Sequence, residues 1–416
     1  MREEFRREAA TLYKQMPYEN NELYKKYQLR FELPDCNGTG RSDPEVWKRK
    51  VRELWDKLNL KFDVVVHNGT DAYVLSENSI RQLDMNTIDD RKLRDSLHNS
   101  DKFAAYTYAK SEVAIELDRV KDGVVNILFL NTSDSLPVMF NIRARDGAHV
   151  VVNELFLGET ERDRDKDKNV VCGCMHDVIA EGGSEVELTM LHIEDRNIDV
   201  FTIVNGKTEE RSVIRTNLIN LGGNKTRHRN RIQAVGKDSK IFTNDIVLGF
   251  DSQRVDIETD TTSMNVRTES TSNTRAIMLG SAAGIIKSFA KIEKGSKNSV
   301  SRINEHGIVD GEDAYIYLIP DMSIDESDVI ATHSGASAPI DREKIFYMQS
   351  RGVDEKLAKL LVMTGFLSES LGRIRSEWVK RLSYSAIIEK VNRGGGFGLP
   401  ERADISDVWI PGGEAL

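Results

Sequence analysis

The chain has few cysteines, few aromatic residues and no long apolar run. Only Cys36, Cys172 and Cys174 occur among 416 residues, and aromatic residues make up 7%. So few cysteines argue against a disulfide framework, and we expect a reducing, cytoplasmic setting. No stretch reaches the roughly 18 apolar residues of a membrane helix, and the N-terminus is rich in Arg and Glu. Neither a membrane span nor a secretion signal is therefore predicted.

Excess positive charge is lacking too. The net charge is −9 and the sequence pI is about 5.6, whereas sequence-independent nucleic-acid binding needs a basic surface. Gly206-Lys207-Thr208 resembles the end of a phosphate-binding loop, but Phe201 stands where that loop requires a glycine. We therefore predict no nucleic-acid partner and no ATP site in this chain.

Hydrophobic periodicity divides the chain into four regions. Residues 1–110 read as a mainly helical N-terminal region, in which Pro44 suits the first turn of a helix. The period changes to two near Ala114, and residues 111–336 read as β-structure. Helical spacing returns in 337–393, with helices capped by Asp341 and Asp354 and a longer one over about 369–391. Residues 394–416 are predicted to be a tail.

The length of the β-region restricts its architecture. About two hundred residues of strands without interleaved helices exclude a doubly wound α/β domain, because parallel strands there need crossover helices. A large sandwich, a propeller and a parallel β-helix remain open. The polar stretch 259–274, rich in Ser and Thr, favours stacked coils. No strict repeat is visible, because the turn glycines are unevenly spaced.

Two clusters carry residues that can bind metals. In Cys172-Gly173-Cys174-Met175-His176, alternation along a strand would bring Cys172, Cys174 and His176 to one face, a donor set suited to zinc or an iron–sulfur cluster. The other interpretation is that these side chains pack in the core, as free cysteine commonly does. His333, where strands give way to helices, is either a ligand or proton carrier or a hydrogen-bonded structural residue.

Roughly residues 100–370 of the chain resemble the SufB/SufD family of iron–sulfur cluster assembly scaffolds, of the SufD type. The segments that carry the resemblance are 101–105, 320–329, 332–337 and 345–353. Family members of the SufB type have His-Glu where this chain has His333-Ser334, and their cluster-forming cysteine falls near Glu305. These departures favour SufD over SufB.

The resemblance implies a mainly β fold, a right-handed parallel β-helix flanked by N-terminal and C-terminal α-helical regions. It implies a scaffold without catalytic turnover of its own. This scaffold would pair with a SufB-like subunit, with a homodimer possible in isolation, and would bind a SufC-like ATPase. An iron–sulfur cluster would be held transiently and shared with the partner, with none tightly bound to the isolated chain. The ligand would be His333 at the subunit interface, with Glu305 as a second candidate.

The resemblance also assigns the ATPase contact to the C-terminal helices. The residues expected there are Phe346, Tyr347, Arg351, Gly352, Leu357 and Leu361. Two rival functions stay open at this point. One is a stand-alone metal or iron–sulfur protein that uses Cys172, Cys174 and His176. The other is a carbohydrate-active β-helix enzyme, a class that the low aromatic content and the absence of a secretion signal disfavour.

Overall fold

The structure is a computed structural model that describes residues 2–16, 33, 44–76, 80–83, 101–132, 135–158 and 170–392. Six helices lie in these ranges: α1 (Arg2–Gln15), α2 (Pro44–Leu58), α3 (Lys102–Lys110), α4 (Arg342–Ser350), α5 (Glu355–Gly372) and α6 (Glu377–Asn392). The early strands are β1 (Val64–His67), β2 (Asp71–Val74), β3 (Ile80–Leu83), β4 (Val113–Arg119), β5 (Gly123–Asn131), β6 (Val138–Ala144), β7 (His149–Gly158), β8 (Val170–Ala180), β9 (Glu185–His192) and β10 (Ile198–Thr208). The later strands are β11 (Val213–Asn220), β12 (Lys225–Ala234), β13 (Lys240–Gly249), β14 (Arg254–Ser263), β15 (Glu269–Leu279), β16 (Ala283–Ile292), β17 (Val300–Asp310), β18 (Tyr315–Ile324) and β19 (Ile330–Pro339).

Successive strands alternate between two sheets. Sheet A runs β19-β17-β15-β13-β11-β9-β7-β5-β1-β2, and sheet B runs β18-β16-β14-β12-β10-β8-β6-β4-β3. From β4 onward each strand pairs in parallel with the strand two further along the chain. The chain therefore coils into a parallel β-solenoid, which confirms the predicted β-helix with helices at both ends. The short strands β1–β3 lie within the region expected to be mainly helical, and they extend both sheets.

A ladder of buried hydroxyls lines one turn of the coils. Its members are Ser184, Ser212, Ser239, Thr268 and Ser299, each at most 1% exposed. The residue before each has positive φ: Gly183, Arg211, Asp238, Arg267 and Asn298. The hydroxyls satisfy turn backbone groups; Ser212 Oγ, for example, accepts a 3.1 Å hydrogen bond from the Gly183 N–H. The turns therefore repeat from coil to coil. The repeat is not visible from the glycines, because only one of the five turn residues with positive φ is a glycine.

A second ladder runs along the outer face of sheet A. The strand register aligns Asn126, Asn153, Thr189, Asn217, Asn244, Asn273, Asn304 and Ser334. Each asparagine amide can donate to one coil and accept from the next, which makes it suited to a stacked position. We call this row the asparagine ladder.

Apolar packing occurs in three layers. The lumen between the sheets holds one cluster of aliphatic and aromatic side chains from nearly every coil. Helices α2 and α4–α6 cover the outer face of sheet A, and α1 and α3 cover the first coils of sheet B. Within the described ranges, no helix is long and apolar enough to cross a membrane.

The C-terminal helices begin where their caps predicted. Asp341 Oδ1 accepts from the Lys344 N–H at 3.0 Å, and Asp354 Oδ1 accepts from the Leu357 N–H at 3.0 Å. The single helix predicted over 369–391 is wrong, because the chain breaks between α5 and α6. Arg375 lies in that break and forms ion pairs with Glu185 and Glu187 on sheet A. The predicted tail, 394–416, lies outside the described residues.

Candidate functional site

The solenoid ends in an exposed strand. All ten residues of β19 are exposed, whereas its parallel neighbour β17 alternates between buried and half-buried positions. In sheet A the order ends at β19, which pairs with β17 on one side. Exposed apolar side chains, Ile330 at 55% and Ile324 at 38%, lie at this end. An extended strand with an open edge is a template for pairing with another chain.

His333 lies on the lumen-facing side of β19. Its register partner on β17 is Ile303, which is 1% exposed and points inward. His333 therefore continues an internal row of side chains. No further coil of the described chain lies above it, so the imidazole is exposed. The structure thus shows an exposed imidazole at the open edge of sheet A, and both its position at a mating surface and its role as a ligand remain predictions.

Glu305 lies one coil below the open end. It pairs in register with Gly335 and is fully buried. Neither carboxylate oxygen makes a hydrogen bond of normal geometry. Burial raises the pKa of Glu305 to about 7, an effect that the Ser288 hydroxyl opposes and the charge of Asp245 reinforces. The structure thus places Glu305 beneath the surface that exposes His333.

Cys172, Cys174 and His176 share the lumen side of β8, as alternation predicted. All three are buried. Cys174 Sγ lies 3.5 Å from His176 Nε2, which also lies 2.9 Å from Glu154 Oε1. Cys172 packs separately with Ile198 and Val200. Burial alone would lower the pKa of His176, but its close contacts with Cys174 and Glu154 raise that pKa well above its usual value.

This interior cluster behaves as core. In the ranges that the structure describes, no three His, Cys, Asp or Glu side chains are arranged to hold a metal ion. Burial raises the pKa of the Cys174 thiol, so it favours the neutral form rather than the thiolate that binds metals. The geometry therefore gives the stand-alone metal protein no preformed ligand set.

A separate apolar patch lies on α4 and the start of α5. Phe346 and Tyr347 are 72% and 60% exposed, and Leu357 and Leu361 are 44% and 45% exposed. The Arg351 guanidinium lies 5.3 Å from the centre of the Tyr347 ring. Gly352 follows with φ +87°, a conformation that glycine adopts without strain, and it turns the chain from α4 toward α5. We call Phe346, Tyr347, Leu357 and Leu361 the helical patch.

Sequence reasoning missed the asparagine ladder and its end at Ser334. Ser334 Oγ donates to Asn304 Oδ1 at 3.3 Å, and Asn304 Nδ2 donates to Asn273 Oδ1 at 3.2 Å. The signal was present, because asparagine recurs at nearly even intervals from Asn217 to Asn304. It went unused because the strand register was needed to show that these residues stack.

The fold and these surfaces together define a class of protein. It is a parallel β-solenoid whose last strand, β19, is exposed, with helices packed on the outer faces of both sheets. The family model described as the SUF system FeS cluster assembly, SufBD core domain, matches residues 131–366, more than half of the chain.

Curated relatives agree with that match. The iron–sulfur cluster assembly protein SufD of Bacillus subtilis is 25% identical over 293 residues, 69% of this chain and 64% of that protein. SufD of Escherichia coli is 21% identical over 174 residues, 42% of this chain and 41% of that protein. A SufBD family protein of Archaeoglobus fulgidus is 26% identical over 295 residues, 60% of this chain and 75% of that protein. The chain belongs to the SufB/SufD family of iron–sulfur cluster assembly proteins, and within it to the SufD type.

Proposed function

We propose that this chain is a SufD-like scaffold subunit of the SUF machinery, without catalytic turnover of its own. It pairs with a SufB-like subunit through β19 and binds a SufC-like ATPase through the helical patch. The observation that carries the proposal is the open strand edge with exposed His333, in a chain of this family. We place the protein in the cytoplasm, where the thiols of Cys172 and Cys174 stay reduced.

The open end supports subunit pairing on physical grounds. A ten-residue edge offers a row of backbone donors and acceptors, and burying Ile324 and Ile330 against a partner adds hydrophobic stabilisation. Pairing of two such edges brings His333 to the joint between subunits. An iron–sulfur cluster under assembly is the cargo at that joint, and a neutral imidazole is a suitable ligand for its iron.

The helical patch supports a second contact. Exposed aromatic side chains beside an arginine are the residue types enriched at the centres of protein interfaces. Helix α4 begins three residues after β19 ends, so movement of α4 would be transmitted to the open edge. An ATPase that closes against the patch would thereby reshape the joint.

The test is co-expression of this chain with the SufB-like and SufC-like subunits. Phe346→Ala with Tyr347→Ala should lower ATPase co-purification at least tenfold while the SufB-like subunit is retained. Leu75→Ala is the matched control, because Leu75 is 51% exposed at the other end of the solenoid. His333→Ala should leave all three subunits together but lower the iron and sulfide recovered with the complex, whereas His306→Ala on the neighbouring strand should not.

The outcomes separate the parts of the proposal. Unchanged ATPase recovery with the double variant would refute the helical patch as the contact. Full cluster recovery with His333→Ala would refute the role of the imidazole. Stoichiometric metal in the isolated chain that is lost with Cys172→Ser would instead favour the stand-alone metal protein.

A further inference from the structure

A layer of polar side chains lies in the lumen of the middle coils, formed by β9–β12. His192 of β9 and Thr202 of β10 meet across the lumen, where Thr202 Oγ1 lies 3.5 Å from His192 Nε2. The other ring nitrogen, His192 Nδ1, lies 2.8 Å from Oε1 of Glu194, in the turn after β9. The strand register places Asn220 beside His192 in the next coil, and it places His228 beside Thr202 in the same way. Asn220 and His228 therefore face each other across the lumen one strand spacing, about 4.8 Å, further along the solenoid.

The layer is bounded differently on its two sides. Toward the open end of the solenoid, Val247 and Ile257 cover it, and both aliphatic side chains are fully buried. Toward the first coils, a cavity lined in part by Phe156, Cys174 and Thr202 adjoins it. The layer therefore ends beneath Val247 and Ile257, and it has space beside it toward the first coils.

Six buried polar atoms in this layer make no hydrogen bond of normal geometry to any group of the described chain. They are Glu194 Oε2, Thr226 Oγ1, the side-chain nitrogen and oxygen of Asn220, and both ring nitrogens of His228. Thr226 shares the lumen side of β12 with His228, because the two are two residues apart. Each of these four residues is at most 2% exposed. We call them the lumen polar set. Burying so many polar atoms without partners is unfavourable, so the set points to a bound molecule.

The hydrogen-bonding chemistry of these atoms identifies the molecule. Glu194 Oε2 and the Asn220 oxygen accept, whereas the Asn220 amide nitrogen donates. Burial lowers the pKa of His228 to about 3, and the nearby His192 and His176 lower it further, so the ring is neutral and has one donor and one acceptor. A metal ion would satisfy only the acceptors, and an anion would satisfy only the donors. Water donates and accepts, and a buried water commonly makes about three hydrogen bonds.

We infer that the lumen polar set is a binding site for ordered water, which holds a cluster of about two molecules. The waters bridge the two sheets, because Asn220 belongs to β11 of sheet A and His228 belongs to β12 of sheet B. The site is distinct from the exposed His333 and from the helical patch. The inference therefore does not depend on the proposed partners.

The experiment counts the long-lived internal waters of the full chain by oxygen-17 magnetic relaxation dispersion. The double variant Asn220→Leu with His228→Leu should lose about two of them, because it removes four of the six polar atoms. His228→Gln should retain them, because the amide again offers a donor and an acceptor. Leu218→Met is the matched control: Leu218 lies on the same lumen face of β11, and the change nearly conserves volume, so the count should stay the same.

Equal counts of long-lived water in the wild type and the double variant would overturn the site. If the double variant does not fold, a high-resolution crystal structure of the wild type decides. Water density within about 3.2 Å of both Asn220 and His228 supports the inference, and a direct hydrogen bond between the two side chains overturns it. Stoichiometric metal in the isolated chain that is lost with Glu194→Gln would also overturn it, because the site would then hold a cation.

Discussion

Asp245 is a carboxyl buried in the lumen, and its surroundings change its pKa. It is buried on β13, and its Oδ2 accepts from the Thr259 and Thr274 hydroxyls at 3.3 and 3.4 Å, while Oδ1 has no hydrogen bond. Burial raises the pKa of Asp245 to about 7, further than the two hydroxyls lower it. The folded protein therefore binds a proton here over a pH range in which the unfolded chain does not.

This difference fixes the sign of a pH effect. A carboxyl whose pKa is higher in the folded state stabilises that state most below its unfolded pKa, and the contribution is lost as pH rises from about 4 to about 7. Asp245→Asn removes the charge, so at pH 8 we expect the free energy of unfolding to rise by about 2 kcal/mol. About 4 kcal/mol comes from the pKa difference, less about 2 kcal/mol for an amide N–H without an acceptor.

Urea unfolding followed by circular dichroism at pH 4 and pH 8 measures the effect. At pH 4 the variant should be equal to or less stable than the wild type. A variant that is less stable than the wild type at both pH values would show that the ionised Asp245 carboxylate does not destabilise the folded state.

At the scale of the elements, the packing around β8 explains why a glycine stands between Cys172 and Cys174. A Cβ on Gly173 would lie 2.0 Å from Phe201 Cζ, its register neighbour on β10. That ring is 1% exposed and packs 5.3 Å from Phe103 of α3, measured between ring centres. Gly173 therefore gives Phe201 room to hold α3 against sheet B, and the Cys-Gly-Cys spacing has a packing role.

Gly173→Ala should lower the free energy of unfolding by about 2–3 kcal/mol, because the ring or the strand must shift within a packed layer. Gly365→Ala is the control: it lies in the exposed part of α5 with no atom within 4 Å of the added Cβ. That change should stabilise the protein by about 0.5–1 kcal/mol, since alanine favours the helix. Thermal unfolding of both variants tests the pair, and equal stability would contradict the packing role.

The same elements show how far the sequence could predict the fold and the site. Asp341 and Asp354 marked helix starts because capping is local chemistry, and the start of the β-structure near Ala114 followed from the change of hydrophobic period. The break before α6 was missed because Arg375 leaves the helix to pair with Glu185 and Glu187 in distant coils. His333 could be singled out as a candidate, but its exposure could not be deduced. The sequence pattern of a polar strand is the same whether the strand lies inside a sheet or at its edge.

At the scale of the whole molecule the two ends of the solenoid differ. One end finishes in the four-residue strands β2 and β3, which pair antiparallel with β1 and β4. The other finishes in the ten-residue parallel strand β19. Short edge strands are a common defence against unwanted pairing, and long ones invite it.

Hydrogen exchange measured across the whole chain should show this difference. In a parallel pair, alternate amides of β19 bond to β17 and the others point outward. The outward amides should exchange rapidly in the isolated chain and at least tenfold more slowly with the SufB-like subunit present. Slowing centred on β2 and β3 instead would place the partner at the wrong end and contradict the proposed pairing.

The antiparallel strands β2 and β3 also limit how large an assembly can grow. A solenoid with a long open strand edge at both ends could associate end to end without limit and form fibres, because heterologous contacts that do not close give open filaments. Among the described strands the β2 and β3 end offers only short edges. If scaffold subunits pair through β19 as proposed, the pairing of two subunits would occupy the long edge of each, and we expect edge-to-edge association of scaffold subunits to stop at two.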